Sequence, residues 1–200
     1  MFTDAEDLPY LDCLYCTKIQ QENLGWPGNT LYRYSMFMKL KEELKQYDYI
    51  YFVQVTGRLW TYMHEDLLIP KEGQYPLTVF RNIDMPDYLS YDPQPNSTAF
   101  IDKDKEGKIY AQGGAFGGTP EAFIELSETC IANIAKNAEN GVSEWLNDES
   151  HLNKFILDKN PKESWLRFWW PPTDQQRSKC KLYTLEKMRY GGFNYLRSQD

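Results

Sequence analysis

The sequence predicts an α/β fold, a mixed central sheet flanked by helices, and three stretches carry that expectation. Apolar residues at helical spacing follow Pro27, and a continuous β-branched and aromatic run, Tyr49 to Val55, comes directly after them. A glycine cluster at 113–118 then stands immediately ahead of a capped helix. Helix and strand signals that alternate in this way belong to a layered α/β domain. At 200 residues the chain can bury roughly 70% of its unfolded surface, and no linker or repeat divides it, so residues 1–200 are read as one domain.

The first helix is expected over Trp26 to Tyr47. Pro27, Gly28, Asn29 and Thr30 open it, and Leu31, Tyr34, Phe37, Met38, Leu40 and Leu44 supply the apolar stripe. The run from Tyr49 to Val55 has the composition of a strand buried on both faces. From Pro70 to Asp102, Pro76, Pro86, Pro93 and Pro95 are interspersed with Asp, Asn and Ser, and the expectation there is an irregular, turn-rich connection. Ile109-Tyr110-Ala111 reads as a short strand feeding the glycines. Thr119 caps the next helix, with Pro120 at its first position, Phe123, Ile124, Cys130, Ile131 and Ile134 on its inner face, and Gly141 as its stop. A last helix fits Asp148 to Lys159. Beyond it the tail is aromatic from Ser164 and then increasingly basic.

Composition excludes several classes. Twenty-two basic against 29 acidic side chains give a net charge of −7, unsuited to a phosphate backbone or an anionic membrane, so no nucleic-acid partner is expected. No run approaches the roughly 20 apolar residues of a membrane span, and MFTDAEDLPY is acidic where a signal peptide is basic and then apolar, which reads as cytoplasmic. Cys13 and Cys16 form a lone C-x-x-C, read as reduced structural thiols in preference to a zinc or redox site.

Taken alone, the local motifs leave function open. Gln112-Gly113-Gly114-Ala115-Phe116-Gly117-Gly118 lets backbone approach a ligand closely, yet its spacing matches neither a dinucleotide fingerprint nor a P-loop. Asp148 and Glu149 at a helix start are accounted for by the helix dipole, and His151 by packing. Together they are more specific. Asp148-Glu149-Ser150-His151-Leu152-Asn153-Lys154-Phe155 resembles the acidic helix motif of glycosyltransferase family 6, the family of the histo-blood-group A and B transferases and the α-1,3-galactosyltransferases. Tyr110 to Gly118 is similar to that family's donor-sugar loop, and Ser90-Tyr91-Asp92 through Ala99-Phe100-Ile101 follows its Thr-Tyr-Glu to Ala-Tyr-Ile stretch. Asn23 to Leu31 with Arg33 resembles the helix start of bacterial members.

The resemblance implies a GT-A type fold and a retaining hexosyltransferase that moves N-acetylgalactosamine or galactose from a UDP-sugar to an oligosaccharide (galactoside) acceptor in α-1,3 linkage. Glu149 becomes the catalytic carboxylate below the anomeric carbon, nucleophile or ion-pair partner of an oxocarbenium-like species. Asp148, Gln112, Gly113 and Gly114 become donor-sugar residues, with glycine at 114 leaving room for an N-acetyl group. Where the family has Asp-x-Asp or Asn-x-Asn after the central strand, this chain has Gln54-Val55-Thr56. The expectation is therefore no metal cofactor, with Mn2+ as the alternative. Arg33, Gln54, Thr56, Lys187, Arg189 and Arg197 are then expected to hold UDP. The family's histidine before a Pro-Gly-Phe turn is replaced by Thr78. Its acceptor-side tryptophan falls on Leu146, which leaves Trp145 and Trp169 as acceptor platforms. Met1 aligns well inside the catalytic domain, so the opening strand is expected to be missing. The alternative function is a catalytically silent relative that binds carbohydrate.

Overall fold

In the computed structural model residues 1–5, 15–85, 89–143, 145–168, 181–185 and 191–192 are described. In chain order the elements are β1 (Phe2–Thr3), β2 (Ile19–Gln20), α1 (Gly25–Leu31), α2 (Arg33–Met38), α3 (Lys41–Leu44), β3 (Ile50–Val53), β4 (Gly57–Leu59) and α4 (Glu65–Leu68). They continue with β5 (Tyr75–Asn82), β6 (Ala115–Gly118), α5 (Pro120–Glu139), α6 (Asp148–Ile156), β7 (Pro161–Phe168) and β8 (Leu182–Thr184). Six strands form one mixed sheet in the order β3-β6-β5-β7-β8-β4, and β1 pairs with β2 separately. The pairs β5–β7 and β7–β8 are parallel, while β3–β6, β6–β5 and β8–β4 are antiparallel.

The expected mixed sheet between helical layers is present. On one face Leu77 and Val79 of β5 and Phe116 of β6 pack with Tyr34, Phe37, Phe123, Leu126, Cys130 and Leu152, which joins α2, α5 and α6 to the sheet. Phe37 is the hub, with ring centroids 5.2 Å from both Phe52 and Phe123. On the other face Phe80, Ala115, Leu166 and Leu182 form a second cluster under Met63 and Leu68. The strict alternation along β5, with neighbours sent to opposite faces and both faces covered, is what a central strand requires.

Four local expectations are corrected. The helix expected over 26–47 is three short ones. Trp26, directly before Pro27, is held extended at φ −97°, ψ 132°, as the proline ring demands of its predecessor. Tyr32 and Leu40 then break the axis at φ −91°, ψ 14° and φ −109°, ψ 17°. The run at 49–55 supplies β3, which is not buried on both faces: it stands at the end of the described sheet, with Val53 exposed. The stretch 70–102 is not all connection, because Tyr75–Asn82 is the middle strand β5, whose partners come from far along the chain. Finally, 109–111 is no strand. The strand is the glycine cluster itself, β6, and it needs glycine because a Cβ on Gly117 would strike Ile50 and Tyr51 of β3 while one on Gly118 would strike Pro76 and Leu77.

The segment 120–139 follows expectation. Thr119 Oγ1 accepts from Ala122 N at 3.4 Å, Pro120 is first in the helix, and Gly141 takes φ +66° just beyond it. Helix α6 ends at Ile156, short of the expected Lys159. Of the aromatic tail, 164–168 lies in β7, where the Arg81 guanidinium sits 5.3 Å from the Trp165 ring centroid. The thiols of Cys16 and Cys130 are free; Cys13 and Cys180 lie outside the described residues. No helix among the described residues is long and apolar enough to cross a membrane.

Gly118→Ala should cost about 3 kcal/mol or more, because the opposing atoms are backbone and cannot rotate away. Thr119→Ala next to it should cost about 1 kcal/mol or less, the loss of one cap. Urea unfolding of both variants checks the ranking.

Candidate active site

The site is built where the N-terminus of α6 meets the segment 110–114. Asn147, immediately before the helix, has φ 50° and ψ −127°, a positive-φ conformation uncommon for any residue but glycine. That turn brings Asp148 and Glu149 onto the first turn of α6, where the free backbone N–H groups favour negative charge. Ser150 Oγ accepts from Leu146 N at 3.1 Å and ties the chain back across the helix start.

Glu149 is partly exposed, and both of its carboxylate oxygens are held: the Tyr110 hydroxyl donates to Oε1 and the Gly113 backbone N–H to Oε2. A Cβ on Gly113 would lie 3.1 Å from Glu149 Oε2 and 3.3 Å from Asp148 Oδ2, so the loop's close approach to the carboxylates depends on the missing side chain. Asp148 is buried. Arg33 Nε lies 3.1 Å from its Oδ2 while donating to Thr30 O, also at 3.1 Å, and Nη1 donates to Gly113 O at 2.8 Å. The guanidinium also covers the Phe52 ring at 4.8 Å. Among the described residues no hydrogen bond reaches Asp148 Oδ2.

Burial pushes the Asp148 carboxyl up to about 7; Arg33 works against that shift and Glu149 adds to it. Glu149 is also raised by burial, with Tyr110, the Gly113 N–H and Arg33 pulling it back toward the charged form. Desolvation thus raises both adjacent carboxyls, and a few specific donors and Arg33 oppose it.

The structure brings together Arg33, expected to hold UDP, Gly113 and Asp148, expected to hold the donor sugar, and Glu149, the expected catalytic carboxylate. Gln112 is buried, its N–H on Phe80 O at 2.8 Å. Gln54 N donates to Gly114 O at 2.9 Å, and its side-chain amide fills the space beside Gly114, with Nε2 2.9 Å from where a Cβ would stand. Thr56 sits farther along the same turn, bonded through its carbonyl to Leu185 N at 2.9 Å. Trp145 is exposed, and its indole N–H donates to Ser90 Oγ at 3.3 Å. Trp169, Lys187, Arg189 and Arg197 lie outside the described residues. The sequence motifs contain Tyr110 and Asn153 without implying a role for either. The one available signal was Asn153, a polar residue four after Glu149 on the face that buries Leu152 and Ile156.

A model of glycosyltransferase family 6 matches residues 12–189. The histo-blood group ABO system transferase 1 of Rattus norvegicus is 28% identical over 138 residues, which are 68% of this chain and 39% of that protein. The O-antigen biosynthesis glycosyltransferase WbnI of Escherichia coli is 25% identical over 201 residues, 94% of this chain and 80% of that protein. The globoside alpha-1,3-N-acetylgalactosaminyltransferase 1 of Homo sapiens is 34% identical over 101 residues, 48% of this chain and 29% of that protein.

A carboxyl whose native pKa lies above its unfolded one stabilises the fold while protonated and loses that contribution as pH rises. Asp148 should therefore weaken the fold between about pH 4 and pH 7. In urea midpoints taken across that window, Asp148→Asn should gain steadily on the wild type; parallel curves would remove the buried carboxyl from this role.

Proposed function

The chain belongs to glycosyltransferase family 6, and on that premise we propose that it transfers N-acetylgalactosamine or galactose, with retention, from a UDP-sugar to a galactoside acceptor in α-1,3 linkage, without a divalent metal. The observation that carries the reading is the Asp148–Glu149 pair locked against the side-chain-free backbone of Gly113. Retention requires one face of the sugar to be held or occupied while the leaving group departs. Glu149 takes that face. With Tyr110 and Gly113 each supplying one hydrogen bond, its oxygens keep lone pairs for an electron-poor anomeric carbon. Asp148 takes the donor-sugar hydroxyls: its buried Oδ2 is ion-paired with Arg33 but accepts no hydrogen bond among the described residues, and a sugar hydroxyl supplies one.

N-acetylgalactosamine is the preferred donor, since Gly113 puts no side chain over the carboxylates and one relative is named for that transfer, although the Gln54 amide takes the space beside Gly114. Metal independence is supported by donor chemistry. The turn after β3 offers the Gln54 amide and the Thr56 hydroxyl but no carboxylate, and Asp148 and Glu149 are already engaged by Arg33, Tyr110 and Gly113. These residues do not fit a hard divalent cation. The diphosphate charge then falls to Lys187, Arg189 and Arg197. Arg33 has a different part, neutralising Asp148 and fixing Gly113. Trp145, exposed at the mouth of the α6 turn, remains the proposed acceptor platform, with Trp169.

Glu149→Gln should lower transfer by about a thousandfold or more while UDP affinity stays within about threefold, because the carboxylate faces sugar and not phosphate. Wild-type turnover in that variant would take Glu149 out of the mechanism. Calorimetry should find UDP binding without manganese, and EDTA should leave the rate unchanged. A strict manganese requirement would overturn the metal-free reading.

A further inference from the structure

Asn153 stands one helical turn beyond Glu149, buried, with its carboxamide fully used. Oδ1 accepts from Ala111 N at 2.8 Å, and Nδ2 donates to Ala111 O at 2.9 Å and to Glu149 O at 2.9 Å. The first two bonds reproduce what a neighbouring strand gives one residue: a donor and an acceptor, side by side. They fall on a segment, 109–111, that belongs to no strand. Tyr110 and Gly113, which hold the two oxygens of Glu149, lie one residue before and two after Ala111.

We propose that Asn153 is a positioning residue for Glu149: its amide fixes residues 110–113 on α6 so that the Tyr110 hydroxyl and the Gly113 N–H reach the carboxylate together. It acts through those two donors. Packing alone does not explain an amide here, since Leu152 and Ile156 already seat the helix in the apolar core and a buried amide is costly unless every bond is made. A partly open pocket of about 430 Å3, lined by Lys108, Ile109, Asn153, Ile156 and Leu157 among others, adjoins the clamp. The charged and titratable groups facing Glu149 are Arg33, Asp148 and Tyr110, and of these Tyr110 lies in the clamped segment.

The inference rests on Glu149 being the catalytic carboxylate, but its primary test needs no turnover. The Glu149 side-chain carboxyl, identified by its absence in Glu149→Gln, is titrated by 13C NMR in the whole chain. Asn153→Leu keeps the volume and removes all three bonds, and should move the titration upward by about one pH unit, as donors to the charged form are lost. Asn153→Ser, which keeps a hydroxyl near Ala111, should move it less in the same direction and carries the test where leucine does not fold. Tyr110→Phe should raise the midpoint in the wild type yet add little on Asn153→Leu, because both remove the same bond. An unchanged midpoint in a folded Asn153 variant, or full additivity with Tyr110→Phe, overturns the proposal. In transfer assays kcat should fall about tenfold to a hundredfold with donor KM unchanged. A wild type without transferase activity would sink the functional reading and leave the titration to decide the clamp.

Discussion

Holding two adjacent carboxyl groups at one helix end, one buried and the other partly so, is the constraint around which this molecule is arranged. An isolated buried carboxylate costs several kcal/mol or surrenders its charge, and here two stand next to each other at one helix end. The offsetting groups come from three elements. Arg33 of α2 lies beside Asp148, Tyr110 and the Gly113 amide reach Glu149, and the helix N-terminus supplies its own partial positive charge. Because Arg33 also holds the Gly113 carbonyl, one guanidinium joins the neutralisation of Asp148 to the placement of the loop that holds Glu149. Arginine suits this double duty better than lysine, its planar fork being able to serve two acceptors at fixed angles.

The glycines of 113–118 do two unrelated things. At 113 and 114 the missing side chain leaves space against the carboxylates and Gln54; at 117 and 118 it lets β6 close up between β3 and β5. A single short run therefore serves the chemistry at one end and the sheet at the other. That explains why its spacing matches no phosphate-binding motif: half of it answers to strand packing.

What was legible in the sequence was what is decided locally. The capped helix after Thr119 announces itself through neighbours within four residues, and its start and stop fall where those residues place them. Strand β5 does not announce itself, because the force that makes it a strand is pairing with residues 115–118 on one side and 161–166 on the other, and its flanking prolines mimic a connection. The carboxylate pair was visible as a capping pattern and became a site only through resemblance over consecutive residues. Its supports act across the chain, Tyr110 and Asn153 over separations of 39 and 42 residues; locally Tyr110 reads as a core tyrosine, and only the polar character of Asn153 on a buried helix face sets it apart.

One consequence of the topology concerns assembly. Strands β5 and β7 lie side by side in parallel, yet residues 83–160, with the glycine run, α5 and both carboxylates, intervene between them. The sheet cannot register its middle pair until that whole excursion has returned, a closure whose entropic cost grows only with the logarithm of loop length but which must be met before the pairing repays it. Nascent chain emerging in order would hold β5 without its parallel neighbour while the future site is still being collected. Pairing of the middle strands therefore waits until the whole segment that carries the site has been made.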